Sequence, residues 1–153
     1  MNIVKDFFTN YLLISAIVAW LLAQIIKVFT GMYKNRKFTL AAFLFANGGM
    51  PSSHTAAVCS LATASVIKFG LSSFECAISC VFAIVVMIDA SGVRYETGEQ
   101  AKILNKITKE LFSGRPDEVN TALKEFVGHT PFQVLMGAIL GILVGVAFSF
   151  IML

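Results

Sequence analysis

The sequence predicts an all-α protein, a multi-pass membrane helical bundle of about four transmembrane helices with two short amphipathic helices in the 91–128 loop. Three observations carry this prediction. Hydrophobic residues make up 57% of the 153 residues and charged residues 14%, against roughly 45–50% and about 25% in a soluble domain. Four apolar stretches approach or exceed the ~20 residues that cross hydrocarbon. Ten of the twelve Lys and Arg residues fall at the end of the first stretch, where Lys27 stands, or in the loops that follow the first and third stretches. No shift in composition divides the chain, so residues 1–153 read as a single integral membrane domain.

The first stretch, 7–29, is interrupted by little more than Asn10, Gln24 and Lys27. It lacks a small-residue cleavage site and is too long for a signal-peptide core, so it reads as a retained membrane helix. Residues 38–50 are apolar but end in Asn47-Gly48-Gly49-Met50-Pro51, too broken to cross alone, which points to a re-entrant or interfacial segment. The second and third stretches, 54–69 and 73–90, lie near the lower limit for a span, and the fourth, 131–153, carries no charge. Small residues recur every four positions at Ala56, Ser60 and Ala64 and again at Gly137, Gly141 and Gly145, the pattern of membrane helices in close contact.

Within the polar stretch 91–128, Thr97 and Gln100 have capping-box spacing, and Ile103, Ile107 and Leu111 form one apolar stripe. Ser113-Gly114-Arg115-Pro116 breaks the pattern. A second helix is expected after Pro116, with Asp117 and Glu118 at its positive end and Gly128 as its stop. The basic residues of the two polar loops, with only Lys5 and Lys68 on the other side, place both loops and the residues beside them in the cytoplasm. Basic residues are not interleaved with aromatics, so nucleic acid is not an expected partner. Cys59, Cys76 and Cys80 sit in apolar segments as small buried hydrophobes rather than as a disulfide or metal framework. Neither a metal nor a cofactor is expected.

Threading four spans alternately brings the end of the first, the start of the second, the end of the third and the start of the fourth to one face. That face collects His54, His129, Asp89, Arg94 and Lys27. A helix start offers unpaired N–H groups and partial positive charge, so Pro51-Ser52-Ser53-His54 is built like an anion seat. Lys27 and Arg94 add positive charge, Gly48 and Gly49 permit close backbone approach, and the hydroxyls of Ser52, Ser53 and Thr130 donate to oxygens. Phosphate is the natural ligand. Two histidines on one phosphate suffice for covalent chemistry. A lone histidine at a helix end is more often a cap, and Asp89 is as well explained by an ion pair with Arg94 or Lys27 as by catalysis.

Gly49-Met50-Pro51-Ser52-Ser53-His54 and Gly128-His129-Thr130-Pro131 resemble the second and third motifs of the type-2 phosphatidic acid phosphatase and vanadium haloperoxidase superfamily. Together with Asp89-Ala90-Ser91-Gly92-Val93-Arg94, Gln100-Ala101 and Leu104-Asn105, they look like its divergent branch of small membrane proteins, over essentially the whole chain. The resemblance implies His129 as a nucleophile forming phosphohistidine, His54 as the acid for the leaving group, Ser52 and Ser53 as phosphate holders, and Lys27 as the first-motif lysine. The chain departs from the superfamily pattern at three places. Lys34 and Asn35 stand where the first motif has Arg-Pro, Leu123 where the third has arginine, and Gln133 where it has the carboxylate that orients the nucleophile. Asp89 is a stand-in candidate for that carboxylate.

The expected function is a membrane phosphatase acting on a phosphomonoester or pyrophosphate of a lipid or lipid-linked substrate. The alternative is a non-catalytic membrane protein that binds anionic headgroups or serves a transport or assembly complex. The sequence leaves open whether the chain is an enzyme. Its expected place is a bacterial plasma membrane with the site facing the cytoplasm, and its expected partners are membrane lipid and a second copy of itself, because four spans make a thinner wall than the superfamily's six-helix core.

Overall fold

The computed structural model describes residues 3–35, 49–111, 123, 125 and 128–152. Within them the chain is helical, with no strand. The order is α1 (Ile3–Phe8), α2 (Tyr11–Asn35), α3 (Ser53–Phe69), α4 (Phe74–Ser91), α5 (Val93–Leu111) and α6 (Pro131–Met152). The expected re-entrant segment lies largely outside the described residues, as does the expected second amphipathic helix.

Local chemistry sets the helix boundaries. Asn10 opens α2, its Oδ1 accepting from the Leu13 N–H at 3.4 Å and its carbonyl from Ile14 at 3.0 Å. Ser52 caps α3 and Ser73 caps α4, each side chain accepting from the N–H three residues on. At the far end of α3 the Gly70 N–H closes on Val66 O at 2.9 Å. Helix α5 starts at Val93, four residues before Thr97, and the Thr97 hydroxyl donates back to Val93 O at 2.8 Å. Thr97 and Gln100 are therefore helix interior rather than a capping box. The reason is continuity: only Gly92 separates α4 from α5, and the Gly92 carbonyl already accepts from Glu96 N–H at 2.9 Å.

Helix α3 is the centre of the bundle and packs against α2, α4 and α6. A Cβ at Gly137 would meet Ser52 O at 2.5 Å, one at Gly141 would meet Ala56 O and Cys59 Cβ, and one at Gly145 would meet Ser60 O at 2.8 Å. Each step of four along α6 is matched by a step of four along α3, so the two helices run parallel and in register with their backbones nearly touching. Helix α2 runs antiparallel to α3. At one end Lys27 Nζ donates to Ser53 Oγ at 3.5 Å, and at the other Lys68 Nζ lies 4.6 Å from the centre of the Tyr11 ring. Tyr11, Ser15, Ala19, Ala23 and Lys27 form the buried stripe of α2, again at four-residue spacing.

Among the described residues, three helical runs are long and apolar enough to cross a membrane: Tyr11–Thr30, Phe74–Leu111 and Pro131–Met152, with mean hydropathies of 2.3, 2.2 and 2.6. The apolar part of the second run is α4. Helix α3, the fourth of the expected spans, has 17 residues. It carries Ser53, Thr55, Ser60 and Ser65 at buried positions. It runs the same depth as α2 and is shielded by three neighbours, so its surface meets protein where theirs meets lipid. Outward-facing Ile25, Ile84, Val85, Leu143 and Phe150 are all exposed, the arrangement of an integral membrane protein in which acyl chains cover the apolar exterior.

Candidate functional site

The ends of α2 and α4 and the starts of α3 and α6 are tied together by hydrogen bonds to main-chain carbonyls. Ser52 N–H donates to Gln133 O at 3.1 Å and His129 N–H to Ala90 O at 3.0 Å. Thr30 Oγ1 donates to Met50 O at 3.3 Å. Two glycines permit this close assembly. Gly49 has φ +83°, and a Cβ there would press on Lys27 Cγ at 3.2 Å. A Cβ at Gly128 would overlap the Tyr95 backbone.

His129 is buried, with 7% of its surface exposed. Its Nδ1 lies 3.2 Å from Gln133 Oε1, which also accepts from the Thr130 N–H at 3.1 Å. A backbone N–H requires an acceptor, so this second contact fixes the amide with its oxygen toward both groups, and Nδ1 of His129 donates. Gln133 N–H in turn donates to Thr130 Oγ1 at 3.4 Å. Thr130-Pro131-Phe132-Gln133 is thus a reciprocal capping box at the start of α6, with Pro131 at its first helical position and the imidazole hung on the same amide. Burial pushes the His129 pKa below its usual 6.5, and the nearby Lys27 and His54 act in the same direction, against the Gln133 contact and the Gly49 backbone.

His54 stands in the first turn of α3 and is exposed. It lies within electrostatic reach of Arg94, Lys27 and Asp89, and His129 within reach of Lys27 and His54. The two histidines and the lysine therefore share one end of the bundle. The remaining candidates are divided between support and surface. Ser53 is buried and accepts from Lys27. Ser52 is fully buried, and its hydroxyl is engaged at the α3 cap by Thr55 N–H at 3.4 Å and Thr55 Oγ1 at 2.9 Å. Thr130 is exposed and belongs to the capping box. Asp89 accepts from Arg94 Nε at 2.6 Å. The structure thus joins Asp89 to Arg94 across the α4–α5 junction and gives the orienting contact on His129 to Gln133.

Residues 8–144 match the family described as the Divergent PAP2 family. The chain belongs to that family. It is also 36% identical over 155 residues to an uncharacterized membrane protein, YuiD, of Bacillus subtilis (strain 168), with 95% of this chain and 98% of that one covered. No solved structure matches.

In this divergent PAP2 protein, three polar residues visible in the sequence stand out for reasons their motifs did not indicate. Gln133 stands in place of a carboxylate but as an amide still holds an imidazole by hydrogen bond, and Thr-x-x-Gln ahead of an apolar run is also a capping signal. Gln24 is 3% exposed, one turn before Lys27 on the buried stripe of α2, and its Oε1 has no hydrogen-bond partner among the described residues. The available signal was a lone amide three residues from a lysine inside an apolar span. Asn105 clamps the backbone that leads back to the site. Its Oδ1 accepts from Leu123 N–H at 2.9 Å, and its Nδ2 donates to Leu123 O at 2.9 Å and Glu125 Oε1 at 2.8 Å. The position at which the wider superfamily carries an arginine is held in this chain by its main chain.

Proposed function

We propose that this divergent PAP2 protein hydrolyses a phosphomonoester or pyrophosphate of a lipid or lipid-linked substrate through a histidine nucleophile. The observation that carries the reading is the pairing of a buried, oriented His129 with an exposed His54 beside Lys27, at the starts of two parallel helices. The helix starts and Lys27 supply positive potential for the phosphate oxygens. With Nδ1 committed to Gln133, the His129 Nε2 lone pair bonds to phosphorus as the bond from phosphorus to the leaving oxygen breaks, and protonated His54 gives its proton to that oxygen. Water then attacks the phosphohistidine, neutral His54 takes its proton, and orthophosphate departs with the His129 ring restored. Arg94 and Asp89 flank the entrance as a pair, and Ser52, Ser53 and Thr130 hold the two helix starts in place. Release of orthophosphate from phosphatidic acid or a prenyl pyrophosphate by the purified protein, abolished by His129→Ala, is the expected result. Wild-type protein that releases none rules the reading out.

A second reading, a non-catalytic protein that binds anionic headgroups, is favoured by Gln133, because an amide orients an imidazole but does not stabilise its cation as a carboxylate does. Tight binding of the same lipids without turnover selects it. In either case the basic loops support a site at the cytoplasmic face of a bacterial plasma membrane. A homodimer would thicken the wall around the site.

A further inference from the structure

Helix α5 carries an apolar stripe that the described residues leave exposed. Ile103, Leu104, Ile107 and Leu111 are 60%, 51%, 45% and 75% exposed. At 100° per residue they occupy one face, and Val93, 65% exposed, extends that face back to the start of the helix. The packing side of α5 is a different one: Gly98 and Ala101 are its buried residues, and Asn105 holds Leu123 and Glu125. The stripe is therefore not the face by which α5 joins the bundle.

We propose that α5 lies in the interface of the bilayer that α4 crosses, with this stripe among the upper acyl carbons of the lipid. Continuity with α4 selects lipid over a protein partner. Helix α5 follows α4 after the single residue Gly92, and the last turns of α4 present exposed Ile84, Val85 and Ile88, so the stripe continues a lipid-facing surface at the depth where it ends. Lys106 is exposed on the flank next to Ile103, and Lys102 and Lys109 are exposed on the far side of the helix, Lys102 paired with Glu99 at 2.6 Å, so the charged side of α5 faces water when the stripe faces the acyl chains. The arrangement keeps the Asp89–Arg94 pair at the α4–α5 junction at headgroup level, and it does not depend on the phosphatase reading.

The test uses tryptophan fluorescence. Trp20 is the chain's single tryptophan, so Trp20→Phe gives a dark background into which Ile107→Trp, or Leu111→Trp at the most exposed stripe position, is introduced. The full-length protein is reconstituted in phosphatidylglycerol vesicles containing lipid brominated near the headgroup end of its acyl chains. The stripe positions are expected to emit to the blue and to be quenched roughly twofold or more by the brominated lipid, as an interfacial helix requires. Lys109→Trp, on the opposite side of α5, is expected to emit to the red and to respond to aqueous acrylamide instead. Water-like emission at both stripe positions overturns the proposal. Blue-shifted emission that brominated lipid does not quench overturns it as well, in favour of a second copy or another protein partner.

Discussion

Gln133 decides how His129 is held, and it does so with one oxygen that accepts two hydrogen bonds. A carboxylate at this position would keep both bonds and add opposite charge beside the imidazole. Gln133→Glu is therefore expected to raise the His129 pKa and to increase phosphate release by on the order of tenfold. The pH profile gives the sign. Because burial holds His129 below its usual 6.5, the neutral nucleophile persists into mild acid, and the acid limb of kcat/KM in the wild type lies below that value. The glutamate variant moves the limb upward, and a limb that stays in place denies Gln133 its orienting role. The Asp89–Arg94 pair is a different kind of contact. Its side chains are 41% and 54% exposed, and solvent-screened pairs of this kind contribute only about 0–1 kcal/mol, so its effect on charge at the site entrance outweighs its effect on stability.

At the scale of elements, the α3–α6 contact fixes the geometry of the site, because it sets the two helix starts side by side. Its closeness depends on hydrogen at Gly137, Gly141 and Gly145. Gly141→Val places a branched side chain against Ala56 O and Cys59 Cβ and is expected to destabilise the bundle by on the order of 2 kcal/mol. The readout is a fall in Tm in detergent, with lipid-facing Leu143→Ala as a control that changes little. An unchanged Tm in the glycine variant excludes the close parallel packing. The four-residue spacing was visible in the chain, and so was its meaning as a packing surface. Alternate threading of the four spans also made the second and fourth parallel, but which ridge packs on which was not legible, since small-residue ridges fit more than one partner. The same limit applies to α5, where Thr97 and Gln100 match a capping box in spacing but lie inside a helix that begins at Val93.

For the whole molecule, the basic loops make a topological prediction. With the native cysteines replaced, Asn35→Cys is expected to react with a membrane-impermeant maleimide only after the membrane is opened, and Ser72→Cys in intact cells. The reverse pattern turns the site away from the cytoplasm. The end of the bundle where Lys27 meets Ser53 and the end where Lys68 meets Tyr11 are separated by the full depth of α3, so the labelling result applies to the whole cluster of His54, His129 and Asp89.

The sequence alone determined that the chain is helical and embedded in a membrane, where most of its helices start and stop, and which end of the bundle collects His54, His129, Lys27 and Asp89. These follow from hydropathy and from chemistry within one helical turn, both of which a linear chain carries. Only the tertiary structure decided that α3 packs on α6 in register, glycine against backbone, that Asp89 turns to Arg94 and not to His129, and that Ser52 is committed to its own cap. Those choices depend on which groups packing brings within about 3 Å of one another, the range over which a hydrogen bond forms, and distance along the chain does not encode that.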